Sequence, residues 1–299
     1  GRPAVVNMSL GQQTGPHDGT STLDMVLDEL QGEGKIICGA VGNDAKRKIH
    51  IMKEFSDSDT LVKSFADFYY KSPRQVTIDM WGEFNKNFAL KALVYDAKND
   101  TMLYQSDYFS TAEEVGKSFF GLVKSEDGKT NVVNVKFTIT TEINPLNQKP
   151  HIMFIPNVLA LPGDSVYVGF ELKAQDGGIV HAWADGSTGG LTNEGLEGWL
   201  DGDNQYTVNE IGGTGKRIIS VGAYTTREHD KFKQTLGERC SFSNIGPTVD
   251  GRLKPQILAP GSAVVSSVSN SSKVMGTSMF IEEQSIKFNG ETHYYGYMD

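Results

Sequence analysis

AVVNMSLGQQTGPHDGTSTLDMVLDELQGEGKIICGAVGND, residues 4 to 44, decides the fold. AVVNMSL and KIICGAV are continuous apolar runs, the text of strands that a parallel sheet buries on both faces. Between them lies a polar, glycine-rich loop, GQQTGPHDG. Ser21 then caps a helix, with Asp24 completing an S-x-x-D box, and Leu23, Val26, Leu27 and Leu30 fall on one helical face. Gly32-Glu33-Gly34 stops it. Strand, helix and strand in this order make a βαβ unit.

Downstream the text changes. From residue 46 to 213 short β-rich runs recur with turns between them: KIHIMKEF, QVTIDMWG, ALKALVYDA, MLYQSDYF, NVVNVKFTITTEI, HIMFIPNVLAL, SVYVGFELKA and IVHAWADG. About eight strands at this spacing predict an antiparallel sandwich, a jelly roll. From 214 the buried-strand text returns in KRIISVGAY and QILAPG, and it runs to residue 299. The expected class is therefore α/β: a parallel sheet with helices, built from 1–45 and 214–299 and interrupted by a β-sandwich at 46–213. An exposed loop tolerates such an insertion at little cost.

Composition narrows the function. A net charge of −9 without any long Lys/Arg cluster excludes a phosphate-tracking surface, so nucleic acid is not an expected partner. No run of eighteen apolar residues predicts a membrane span. Cys38 and Cys240 are too few for a disulfide framework or a zinc site, and neither metal nor cofactor is expected. DGDNQ at 201–205 lacks the glycine and distal glutamate of a calcium loop and reads as a turn. Trp81, Trp183 and Trp199 read as packing rather than as a sugar-binding face.

Chemistry enters at VMGTSMF, residues 274–280. A serine at the first turn of a helix sits beside unpaired backbone N–H groups. It is an ordinary cap unless other groups converge on it. GAVGND ends one buried strand with Asn43, whose amide then lies at the carboxyl edge of the sheet, where α/β proteins bind ligands. NMSLG and APG end two more strands at the same edge.

Taken in order, VVNMSLG, ICGAVGNDA, IISVGAY, SFSNIGP, ILAPG and GTSM resemble the subtilisin-like serine peptidases. GPHDGTS after SLG, and a β domain inserted after the GN motif, look closer still to the clostridial spore-germination branch, which carries a jelly roll at this point. The resemblance implies a secreted or cell-envelope serine endopeptidase acting on peptide or protein substrates. It implies Ser278 as nucleophile and Asn43 as the amide donor to the oxyanion. It makes Ser9, Leu10 and Gly11 one substrate-binding wall, and Ala40, Val41 and Gly42 the other, gripping the peptide as an added strand.

The family's triad Asp and His precede the SLG strand, so residues 1–299 are expected to hold the nucleophile without its base and to be inactive alone. His17, next to Asp18, reads as a structural turn, and none of His50, His181 and His293 reads as a substitute base. The contrasting expectation is a catalytically dead scaffold whose jelly roll binds a protein or glycan partner. After GTSM the family's small residues and proline are replaced by FIEEQSIKFNGETHYYGYMD, read as a hairpin turning at Asn289-Gly290. Uncovered sheet at the upstream edge predicts a homo-oligomer.

Overall fold

A computed structural model describes residues 2–113, 118–124, 133–227, 235–262, 264–267, 283–288 and 291–298. Ser278 lies outside the described residues. In chain order, β1 (Ala4–Met8), α1 (Thr22–Glu29) and β2 (Lys35–Ala40) form the first unit. Then come β3 (His50–Phe55), β4 (Leu61–Phe68), β5 (Arg74–Gln75), β6 (Ile78–Gly82), β7 (Ala89–Asp96), β8 (Thr101–Gln105) and β9 (Phe109–Ser110). They are followed by β10 (Ser118–Lys124), β11 (Asn134–Ile143), β12 (Pro150–Ala160), β13 (Val166–Lys173), β14 (Gly178–Ala184) and β15 (Gly189–Thr192). The chain closes with β16 (Ile219–Thr225), β17 (Ile257–Ser262), β18 (Val264–Ser267), β19 (Glu283–Phe288) and β20 (Glu291–Met298).

The outer segments meet as expected. β1, β2, β16 and β17 form one four-stranded parallel sheet in that order, so strands more than 170 residues apart in sequence lie side by side. Ser21 caps α1, its side chain accepting from the Asp24 amide at 3.1 Å. Two expectations need correction. The fold is mostly β, with α1 the sole α-helix among the described residues, so "parallel sheet with helices" overstates the helical share. The first strand is not buried on both faces either: Val5 and Val6 are 69% and 48% exposed. β1 is an edge strand, and the core under it is small. Leu27, Ile37 and Ile218 form it, with Met8 and Leu23 packed on its rim. Val26 and Leu30, expected on the helix's inner face, are exposed because that core does not reach them.

Residues 50–192 hold thirteen strands rather than about eight, in two antiparallel sheets packed face to face. One sheet runs β10-β11-β12-β6-β14-β3, with β5 on β12; the other runs β15-β4-β13-β7-β8, with β9 on β7. Strict alternation builds the core between them: in β11, Val135, Phe137 and Ile139 point inward and are fully buried. Phe154 packs against Phe137 from within its own sheet and edge-on against Phe170 of the other, with centroids 5.8 and 6.0 Å apart. Each buried phenyl of this kind contributes about 2–3 kcal/mol by removal from water. All three tryptophans are buried, and Trp199 stacks on Phe65 at 3.7 Å.

The loop after β1 is clamped to the sandwich. Gly15 donates its amide to Asp79 Oδ2 at 2.7 Å, Lys149 pairs with Asp18 at 2.5 Å, and the His17 ring stacks on Trp183 at 4.0 Å. At the end of the chain β19 and β20 pair with Phe288 opposite Glu291, the hairpin register read from Asn289-Gly290, and β18 adds to β20.

Candidate functional site

A cleft of about 1100 Å³ opens at the carboxyl ends of the parallel strands. Ser9, Leu10 and Gly11, just past β1, line one side. Ala40, Val41, Gly42 and Asn43, at the end of β2, line the other, and Ala259, Pro260 and Gly261 of β17 close the end. Seven of the eight residues singled out in the sequence thus share one cavity; the eighth, Ser278, falls outside the described residues.

The two walls differ in how they are built. The main chain of Leu10 and Gly11 takes part in no hydrogen bond among the described residues, which leaves it open to an extended peptide. The second wall is pinned. Val41 donates to Val221 O at 3.1 Å and accepts from Asn209 N at 3.0 Å, while Gly42 O accepts from Asn244 N at 3.0 Å. Gly42 has φ +100°, and a Cβ there would lie 2.3 Å from Asn244 Nδ2, so only glycine fits. Gly39 is tighter: its Cβ would come 2.2 Å from the Cα of Gly212. Asn43 is exposed at the cleft rim, its side chain available to a ligand.

Beneath the walls lies a chain of amides that sequence reading missed. Asn244 Oδ1 accepts the Asp44 amide at 2.6 Å, and Asn244 Nδ2 donates to Thr207 O at 2.7 Å. Gln13 Nε2 donates to Asn209 Oδ1 at 2.8 Å. The bonded partners are 31 to 200 positions apart, and no periodicity or motif links them. The sandwich supplies the far bank through Tyr70, Thr77, Asp185 and Ser187, and Arg47 beside them pairs with Asp44 at 3.6 Å.

His17 is structural. Its Nδ1 lies 2.8 Å from Val208 O and its Nε2 3.0 Å from Gln13 O, so each nitrogen faces a carbonyl. Two carbonyls favour the charged ring, but burial outweighs them and lowers the pKa to about 4. Burial thus keeps the ring neutral at pH 7, and its one N–H is donated to one of the two carbonyls. His50 joins Asp203 at 2.8 Å to His181 at 2.9 Å inside the same aromatic cluster. Burial, and then the His50 charge, push His181 down to about 2. Among the described residues no group of three or more His, Cys, Asp or Glu is placed to hold a metal ion, and no helix is long and apolar enough to cross a membrane.

Residues 164–290 match the subtilase family, a span that runs from the sandwich through β16 and β17 and includes position 278. The chain is subtilase-like. The solved structure of the Clostridium perfringens CspB protease superposes on this subtilase-like chain with a TM-score of 0.64 at 17% identity. The superposition covers 90% of this chain and 50% of that one, so this chain spans about half the length of its solved neighbour. A 57-residue stretch is 44% identical to the uncharacterized protein aq_aa18 of Aquifex aeolicus (strain VF5), covering 19% of this chain and 25% of that protein.

Proposed function

We propose that this chain is the nucleophile-bearing part of a secreted or cell-envelope serine endopeptidase. Segments 1–45 and 214–299 make up its catalytic sheet, and 46–213 is a jelly-roll insertion. Ser278 Oγ attacks the scissile carbonyl and forms an acyl-enzyme, while the Asn43 amide donates to the developing oxyanion. The peptide lies along Leu10 and Gly11 as an added strand, with the side chain before the scissile bond between the two walls. Such an attack needs an imidazole to take the serine proton and a carboxylate to orient that imidazole. The observation that supports this reading is the meeting of three strand ends, 9–11, 40–43 and 259–261, around one cleft.

A second reading is a catalytically silent scaffold whose sandwich binds a protein or glycan. The hairpin of β19 and β20 favours it, since antiparallel strands follow position 278 where the resemblance implies a helix. A fluorophosphonate probe separates the two, because it labels only an activated serine. Labelling of a form extended upstream, lost in Ser278→Ala, supports the peptidase. No labelling of that form supports the scaffold.

A further inference from the structure

The floor of the cleft carries an unspent hydrogen-bond donor. Asn209 is 5% exposed, and its side-chain direction is fixed by a relay that starts at the backbone. The Asp44 N–H must meet an oxygen, so Asn244 presents Oδ1 there and turns its Nδ2 toward Thr207 O. Gln13 Nε2 stands among three acceptors, Asp44 Oδ2 at 3.3 Å, Thr207 O at 3.3 Å and Asn209 Oδ1 at 2.8 Å, so its orientation is fixed as well. Asn209 Oδ1 therefore faces Gln13, and Nδ2 faces the opposite way.

That opposite way is into the cleft, between the two walls. A Cβ built on Gly11 would lie 1.9 Å from Asn209 Nδ2, and one on Gly42 would lie 2.4 Å away. The amide nitrogen thus fills the room that the two glycines leave at the bottom. It donates to no acceptor among the described residues, and it is not sealed from the cavity. A nearly buried donor left unpaired is costly, and an occupant bringing an acceptor removes that cost.

We infer that Asn209 selects the substrate side chain before the scissile bond, and that it selects an uncharged hydrogen-bond acceptor, glutamine or asparagine, over an aliphatic or acidic one. This rests on the cleft binding peptide as proposed above. An aliphatic side chain leaves Nδ2 unpaired. A carboxylate meets the field of Asp44 and Asp185, two carboxylates lining the cleft against the single guanidinium of Arg47. A cation would meet the positive end of the amide dipole.

The test needs binding rather than turnover. Four-residue product-like peptides, alike except for a C-terminal Gln, Met, Leu or Glu, are titrated into the whole chain and followed by amide chemical shifts. The expected order places Gln about tenfold tighter than Met, its near-isostere. In Asn209→Ala that preference collapses, with Met binding retained. The comparison of Gln with Met on the unmodified chain keeps the test valid where the variant fails to fold. Peptides that bind without regard to this side chain, or with Leu or Glu foremost, overturn the role of Asn209 and leave the peptide cleft intact. No binding by any peptide, with Gly11 and Gly42 unmoved, overturns the peptide cleft and this inference with it.

Discussion

His151 Nε2 lies 2.6 Å from Asp79 Oδ1, and the other oxygen of the same carboxylate takes the Gly15 amide at 2.7 Å. A charge pair inside the sandwich therefore holds the loop that leads from the first cleft wall. Burial works against the imidazolium, but hydrogen bonds and charge from Asp79 and Glu142 outweigh it and raise His151 above 6.5. A raised folded value means the pair's stability is fully present below pH 6.5 and fades as pH climbs through that value. His151→Gln is expected to lose about 3 kcal/mol at pH 6, with the gap narrowing in alkali. Urea unfolding from pH 6 to 9 checks this; a constant gap refutes it.

Asp24 shifts stability in the same sense, over a lower pH range. Burial, with Asp28 nearby, raises it from 3.8 to about 6, and burial also raises Glu210 beside it well above its ordinary value. The folded state then holds its proton more tightly than the unfolded chain, so stability falls as pH rises from 3.8 to about 6. Asp24 Oδ1 and Glu210 Oε2 are both buried without partners. Asp24→Asn keeps an acceptor for Thr214 and adds a donor. It is expected to gain about 1–2 kcal/mol at pH 7 and little at pH 3.5. Thermal melts at the two pH values decide it.

The contact of Gly39 with Gly212 is backbone on backbone and cannot be relieved by a rotamer. Gly39→Ala is expected to cost about 2–4 kcal/mol in denaturant unfolding. Gly163→Ala, with nothing within 4 Å of its added methyl, serves as the control and should stay within about 0.5 kcal/mol. Equal effects at both sites would refute the argument.

In a form of the protein extended upstream and competent for cleavage, Asn43→Ala should lower kcat and leave KM nearly unchanged. The loss to expect is about 10²–10³, the magnitude observed for the oxyanion-hole asparagine of a subtilisin and carried over from it. Steady-state kinetics on one peptide separates the two constants.

Val5, Val6 and Ile36 are 69%, 48% and 43% exposed along the β1 edge, which offers unpaired main chain beside apolar surface. A second copy of this chain is expected there, giving a dimer by sizing with light scattering. Val6→Lys should shift it toward monomer, and a monodisperse monomer before mutation would refute the expectation.

The sequence is legible where chemistry is local. Ser21 with Asp24 marks a cap because both partners lie within one turn, and Asn289-Gly290 marks a hairpin for the same reason. Continuous apolar runs locate all four parallel strands. They do not reveal that β1 is uncovered, because burial depends on what packs above it. β4 escapes notice since LVKSFADF buries three consecutive residues, Ser64, Phe65 and Ala66, and so hides its alternation. The relay of Gln13, Asn209 and Asn244 is invisible for a different reason: amides carry no period, and only folding brings these three together.

Tyr70, Thr77, Asp185 and Ser187 give the groove a bank that belongs to the inserted sandwich, while the glycine walls belong to the parallel sheet. The two banks can drift independently. Changes in the hairpin turns of the insertion would reshape the outer bank of the groove, and the glycine-rich strand tips opposite would stay as they are.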